Sequence, residues 1–274
     1  MAAAVAVMLL VAQASACSVF GDDDPPAPTP SAAPQPVVMA LQQVLDRRAQ
    51  ALRRDDLGRF ERTLAGPASF RRDQRAYFDA VGALPVEGLR MKVLPAEVVL
   101  SDDSYWAVVE VRMQLRGYDT APVVVRDRYR FTPGRRAGSY RITSTTDAAW
   151  EQRNDVLPEP WDAGPVQIRR APGVLGVFDD ATVGSAARVL ATARRAIDDV
   201  ALQVPYDWTR SVVVYAVQDP ALLSAVAPAH TGGDGGVLDA VAFEVPTDVD
   251  SRRVASTRVV LRSEEHTSEL QSPM

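Results

Sequence analysis

From residue 37 onward the apolar positions recur first with a helical period and then with a strand period. Val38, Leu41, Val44, Leu45, Ala49 and Leu52 lie three or four residues apart, with Asp46, Arg47, Arg48, Arg53 and Arg54 between them. This spacing predicts an amphipathic helix from about Pro36 to Arg54, with the proline in its first turn. Asp55 or Asp56 is placed to cap a short second helix carrying Leu57, Phe60 and Leu64. Gly66-Pro67 breaks that helix. A third is expected from about Ser69 to Val81, burying Phe70, Tyr77, Phe78 and Val81, and ending at Gly82 and Pro85.

Alternation then takes over. Leu89–Val93 and Glu97–Leu100 flank Pro95, where a bulge or break is expected. Trp106–Leu115 places Ala107, Val109, Val111, Met113 and Leu115 on one face, and Glu110, Arg112 and Gln114 on the other. Val123–Phe131 sets Val123, Val125, Tyr129 and Phe131 against Arg126, Arg128 and Arg130, and Tyr140–Thr145 returns as a further strand. Helices followed by antiparallel strands predict an α+β layer over residues 37–150.

Residues 151–165 read as an ordered connector, held down by Trp150 and Trp161 at its two ends. A hairpin is expected around Ala171-Pro172-Gly173. Asp179 or Asp180 is placed to cap a long helix reaching about Leu202, apolar at Val183, Ala187, Leu190, Ala193, Ile197 and Ala201. Ser211–Val217 is a nearly continuous apolar run of the buried-strand type. A short helix to about Val226, a Gly-rich loop at 231–236, and strands at Val241–Val245 and Val254–Leu261 complete this half, residues 166–261. The fold class expected is α+β in two domains.

The first 36 residues have another character. Ala2–Ala12 is an apolar run of eleven residues, too short for a bilayer span of about 20 residues. Ala14-Ser15-Ala16-Cys17 closes it with small residues and the chain's one cysteine, as a signal peptide does. This stretch resembles a bacterial lipobox, in which the cysteine is acylated. It departs from that motif in having Ala14 where leucine is usual, and in having no basic residue before the apolar run. The resemblance implies a signal peptide over 1–17, lipidation at Cys17 and a chain held on the outer face of the membrane by its lipid; plain secretion is the second expectation. Residues 18–36, with Asp22-Asp23-Asp24 and repeated prolines, read as an extended tether.

Composition adds little beyond class. Apolar residues make up 47% and charged residues 24%, ordinary for a chain that buries a core. The net charge of −5 implies no nucleic-acid partner. Lys92 is the only lysine among 30 cationic residues, a bias that points to a GC-rich, actinobacterial-type genome. Candidate chemistry is sparse. The Arg126/Arg128/Arg130 row invites an anionic ligand, but a solvated strand face with cross-strand partners such as Glu110 is the plainer reading. Trp106 is a pocket-wall candidate against a reading as packing. No histidine lies between residues 37 and 150, and His230 sits in a Pro/Gly stretch. No catalytic residue and no metal ligand is expected, and no cofactor is expected in this chain.

The order of three helices and then antiparallel strands resembles the nuclear-transport-factor-2-like family, a cone-shaped α+β module that serves as ligand pocket, active site or dimer surface. Residues 166–261 resemble the N-terminal part of the peptidase MA-like, gluzincin-type zinc metallopeptidases found as bacterial lipoproteins. In that family the sheet precedes a helix bearing His-Glu-x-x-His, whose histidines bind zinc and whose glutamate activates water. None of those residues is present here. Residues 262–274 resemble a translated sequencing adapter, so His266 is set aside and Leu261 is taken as the last natural residue. Two functions are therefore expected. One is an envelope-anchored fragment of a zinc metallopeptidase, inactive as it stands, whose parent takes zinc and a peptide or protein substrate. The other is a non-enzymatic envelope lipoprotein whose cone binds a ligand or protein partner.

Overall fold

The computed structural model describes residues 33–157, 159–218, 240–248 and 251–261. The chain has an α+β fold. Three helices come first: α1 Gln35–Arg53, α2 Leu57–Glu61 and α3 Ala68–Ala83. Pro36 sits in the first turn of α1, where its missing N–H costs no intrahelical bond. Asp56 caps α2 by accepting a hydrogen bond from the Arg59 backbone N–H at 2.8 Å. Leu64 lies beyond α2 and forms an isolated bridge to Ile142.

Four strands follow in sequential antiparallel order: β1 Val86–Ser101, β2 Ser104–Leu115, β3 Val123–Pro133 and β4 Tyr140–Ser144. Strand β1 is one long strand whose pairing register slips between Val93 and Val98. Pro95 falls inside that slip, because proline cannot donate to the ladder. The sheet packs on α1, whose Leu41, Val44 and Leu45 are fully buried. Each such side chain contributes about 1.5–3 kcal/mol relative to exposure.

The connector forms two short helices, α4 Ala148–Arg153 and α5 Pro160–Ala163. Trp161 on α5 is 2% exposed and meets the Tyr215 ring edge-on at 6.0 Å. Trp150 stays half-buried. Strands β5 Gln167–Ala171 and β6 Val174–Phe178 form the expected hairpin. The helix α6, Ala186–Gln203, starts later than the sequence predicts. Asp179 does not cap it: its carboxylate accepts from the Thr182 backbone N–H at 2.9 Å and from the Gln218 backbone N–H at 2.5 Å, and a 3-10 turn at Val183–Ser185 intervenes.

Strands β7 Val212–Ala216, β8 Ala240–Pro246 and β9 Val254–Leu261 complete a second sheet of order β5-β6-β7-β9-β8. Strands β6, β7 and β9 run parallel, and β8 lies antiparallel to β9. One face of this sheet, through Leu175, Val177, Val213, Phe243 and Val260, joins the same core as α1 and the first sheet. The other face is covered by α6 over Val174, Phe178, Val214 and Ala216. Its remaining part has no covering helix among the described residues: Ala240, Ala242, Glu244 and Thr257 are exposed, and Val259 and Leu261 are half-buried. Parallel strands ordinarily have both faces covered.

Candidate functional site

The arginine row lies on the outer face of β3, because its register alternates with the buried Tyr129 and Phe131. Each guanidinium is engaged. Arg126 Nη2 lies 3.4 Å from Glu110 Oε1 and 4.0 Å from Asp248 Oδ1. Arg128 pairs with Asp147 at 2.9 Å. Arg130 Nε donates to Ser104 Oγ at 2.9 Å. Trp106 stands cross-strand from Arg130, and the guanidiniums of Arg128 and Arg130 lie 5.5 and 5.8 Å from its ring centroid. The row and Trp106 are thus brought together on the face of the sheet opposite α1, where Asp147 at the start of α4 meets Arg128. Half-buried pairs at a sheet surface such as these contribute about 0–1 kcal/mol each.

The polar chemistry of the inner face comes from residues that the pattern of apolar positions had hidden. Arg48 on α1 is fully buried. Its Nη2 donates to Gln74 Oε1 at 2.5 Å, and Gln74 Nε2 donates to Thr145 Oγ1 at 3.0 Å. Three rings surround the guanidinium: Phe60 at 4.3 Å, Tyr77 at 5.1 Å and Tyr129 at 5.9 Å from its carbon. Its Nε and Nη1 are buried without a protein partner, and a buried unsatisfied donor is costly. Asp127 falls on the same inner register as Val123, Val125, Tyr129 and Phe131. Burial pushes its carboxyl up to about 7; the Glu151 and Glu159 charges add to this, and Arg48 opposes it. Asp162 as a residue is exposed, at the first turn of α5. Desolvation of its carboxyl, then the charges of Asp127 and Glu159, raise it well above the usual carboxylate range. Two carboxyls, both raised by desolvation and by neighbouring negative charge, thus stand near the buried Arg48 cation.

Arg48, Gln74 and Asp127 share one readable signal. Each is a polar residue standing on an otherwise apolar stripe: 41-44-45-48-49-52 on α1, 70-74-77-78-81 on α3 and 123-125-127-129-131 on β3.

A second buried charge cluster joins the two sheets. Arg258 of β9 is 1% exposed and is ion-paired to Glu159, at the start of α5, and hydrogen-bonded to Tyr215 Oη. Tyr215 Oη donates to Glu159 Oε2 at 2.6 Å. Asp119 lies 4.0 Å from Arg258 and accepts from the Leu115 backbone N–H at 2.6 Å. Burial raises the Asp119 carboxyl, with Arg258 and the Leu115 N–H opposing. Burial works against the charge on Arg258, yet Glu159, Tyr215 and Asp119 outweigh it and raise its pKa. Pairing on this scale keeps the buried cation tolerable.

Two concavities belong to the second sheet. A cleft of about 390 Å³ lies at the carboxyl ends of β6 and β7, lined by Glu159, Asp179, Asp180 and Gln218. Open α/β sheets take ligands at such strand ends. An apolar groove of about 820 Å³ runs between α6, through Val189, Ala193 and Val200, and the sheet, through Val212, Val259 and Leu261. Among the described residues, no three His, Cys, Asp or Glu side chains cluster as a metal site, and no helix is long and apolar enough to cross a membrane. Cys17, His230, the 231–236 loop and the helix expected up to Val226 lie outside the described residues. Compared with known proteins, the chain matches no family model and no curated protein.

Proposed function

We propose that the chain is the N-terminal part of an envelope-anchored zinc metallopeptidase, fixed to the membrane through a lipid on Cys17 and spaced from it by residues 18–36. The observation that carries this reading is the second sheet. Its inner strands β6, β7 and β9 run parallel, and among the described residues α6 covers one of its faces only in part. Parallel sheets ordinarily have both faces covered, so a further helix suits that part. In the zinc peptidases that residues 166–261 resemble, the sheet precedes the helix carrying His-Glu-x-x-His. The residues of this chain then act as scaffold: α6 and the first sheet fix β7, β8 and β9, and the zinc ligands come from sequence beyond Leu261. Zinc would polarise the substrate carbonyl and activate a water there. The chain as it stands hydrolyses nothing.

The genomic DNA downstream of the Leu261 codon tests this. His-Glu-x-x-His within a few dozen codons is the expected result; an early in-frame stop would sink the proposal. A second reading has its own support. The buried, partly unsatisfied Arg48 beside Asp127 suits a cone that holds a polar ligand in a non-enzymatic lipoprotein. An early stop after Leu261, together with a full-length protein free of stoichiometric zinc, would favour it.

A further inference from the structure

We infer that the concavity between α2, α3 and β4 is a binding site for a multiply charged phosphate-bearing anion. The cleft has a volume of about 740 Å³, and its charged lining is Arg62, Arg71, Arg72, Arg75 and Arg141 against the single carboxylate of Glu61. The arginines converge from three elements. Arg62 closes α2, the next three lie on α3, and Arg141 reaches in from β4. All five are exposed. Glu61 is taken by Arg75, its ion-pair partner. Arg62, Arg71, Arg72 and Arg141 form no side-chain hydrogen bond or ion pair among the described residues.

Like charges held together without counter-charges repel, so this arrangement costs stability unless an anion occupies it. The chain's overall charge of −5 makes the concentration of cations here more pointed. The backbone adds to the field. The N-terminus of α3, a helix of 16 residues, opens into the cleft at Ala68. Its first turn holds no acidic residue, and its N-cap, Pro67, supplies no side-chain acceptor. The free amides and the positive end of the helix dipole therefore act with the arginines. Gly66, at φ +109°, turns the chain into the helix and leaves the rim of the cleft without a side chain. Guanidinium groups match phosphate oxygens in paired hydrogen bonds. The volume exceeds what one inorganic phosphate fills, so the ligand class is an oligophosphate or a phosphorylated headgroup.

Calorimetric titration of the full chain with tripolyphosphate at low salt tests the inference. Cys17→Ser in every protein keeps an acyl anchor from contributing. Saturable binding that weakens with added salt is expected. Arg71→Gln with Arg72→Gln should lower affinity at least tenfold while the circular dichroism spectrum stays unchanged. Arg90→Gln with Arg195→Gln removes the same charge from exposed positions outside the cleft and should stay within twofold of the parent. Absence of saturable binding, or equal weakening in both double variants, would overturn the site. Vesicles of equimolar phosphatidic acid and phosphatidylcholine, whose phosphomonoester headgroup can carry two charges, identify the source of the phosphate. Retention that tripolyphosphate releases and Arg71→Gln/Arg72→Gln abolishes assigns a lipid headgroup. Tripolyphosphate binding without vesicle retention assigns a soluble phosphoanion.

Discussion

Asp127 occupies a position where the strand pattern calls for an apolar side chain, and its acidity records the cost. Its carboxyl sits at about 7 in the folded chain against about 4 when unfolded. Between those values the folded state keeps a proton that the unfolded state has released. Stability therefore falls as pH rises from about 4 to about 7 and levels off above. Asp127→Asn should flatten this fall and stabilise the protein by about 1–2 kcal/mol at pH 8, with little effect at pH 4. Asp162, also raised, leaves a residual slope of the same sign. Urea unfolding at several pH values reads the difference, and an unchanged slope in the variant would contradict the assignment. Arg258 is the opposite case, a charge that its surroundings require. Arg258→Met strands Glu159 and Asp119 in the interior and should cost about 3–5 kcal/mol. Adding Glu159→Gln and Asp119→Asn should recover part of that loss, seen as a partial return of the denaturant midpoint.

At the scale of elements, most of the structure was legible because periodicity reports burial. The stripe Leu41, Val44, Leu45, Ala49 and Leu52 marks α1, and the alternation of Ala107, Val109 and Val111 marks β2. The α6 start was misread for a local reason. Asp179 resembles a cap in sequence, but one of its oxygens serves the Thr182 N–H three residues on and the other the Gln218 N–H, which only the folded chain brings near. Arg48, Gln74 and Asp127 were hidden because sorting positions into apolar and polar assigns every polar side chain to the outside. The arginine cleft was hidden for another reason: α2, α3 and β4 contribute to it from positions spread between 62 and 141. The Ala171-Pro172-Gly173 turn was legible, and Gly173 shows why glycine stands there. Its φ is +74°, and a Cβ would lie 2.5 Å from the Arg210 carbonyl oxygen. Gly173→Ala should cost at least about 2 kcal/mol, measured as a lowered urea midpoint; an unchanged midpoint would refute the close approach.

Over the whole molecule, the two sheets share one core. Buried residues of β6, β7, β8 and β9 join the cluster of α1, α3 and the first four strands. Backbone bonds also cross between the halves: Thr120 N–H donates to the Ala255 carbonyl at 2.8 Å, and Val124 N–H to the Thr247 carbonyl at 3.1 Å. Far-ultraviolet and near-ultraviolet circular dichroism should therefore trace one coincident thermal transition. Two separated transitions would show that the halves are held more loosely than their shared packing implies.

The segment joining the halves carries two anchors, Glu159 for Arg258 and Trp161 for Tyr215, with Pro160 alone between them. Lengthening that step by one amino acid would swing one of them out of phase with its socket. The joint would then hold by its greasy peg or by its charged clasp, but not by both. Swapping the first half for a foreign module must therefore preserve this spacing, since both sockets lie in the second.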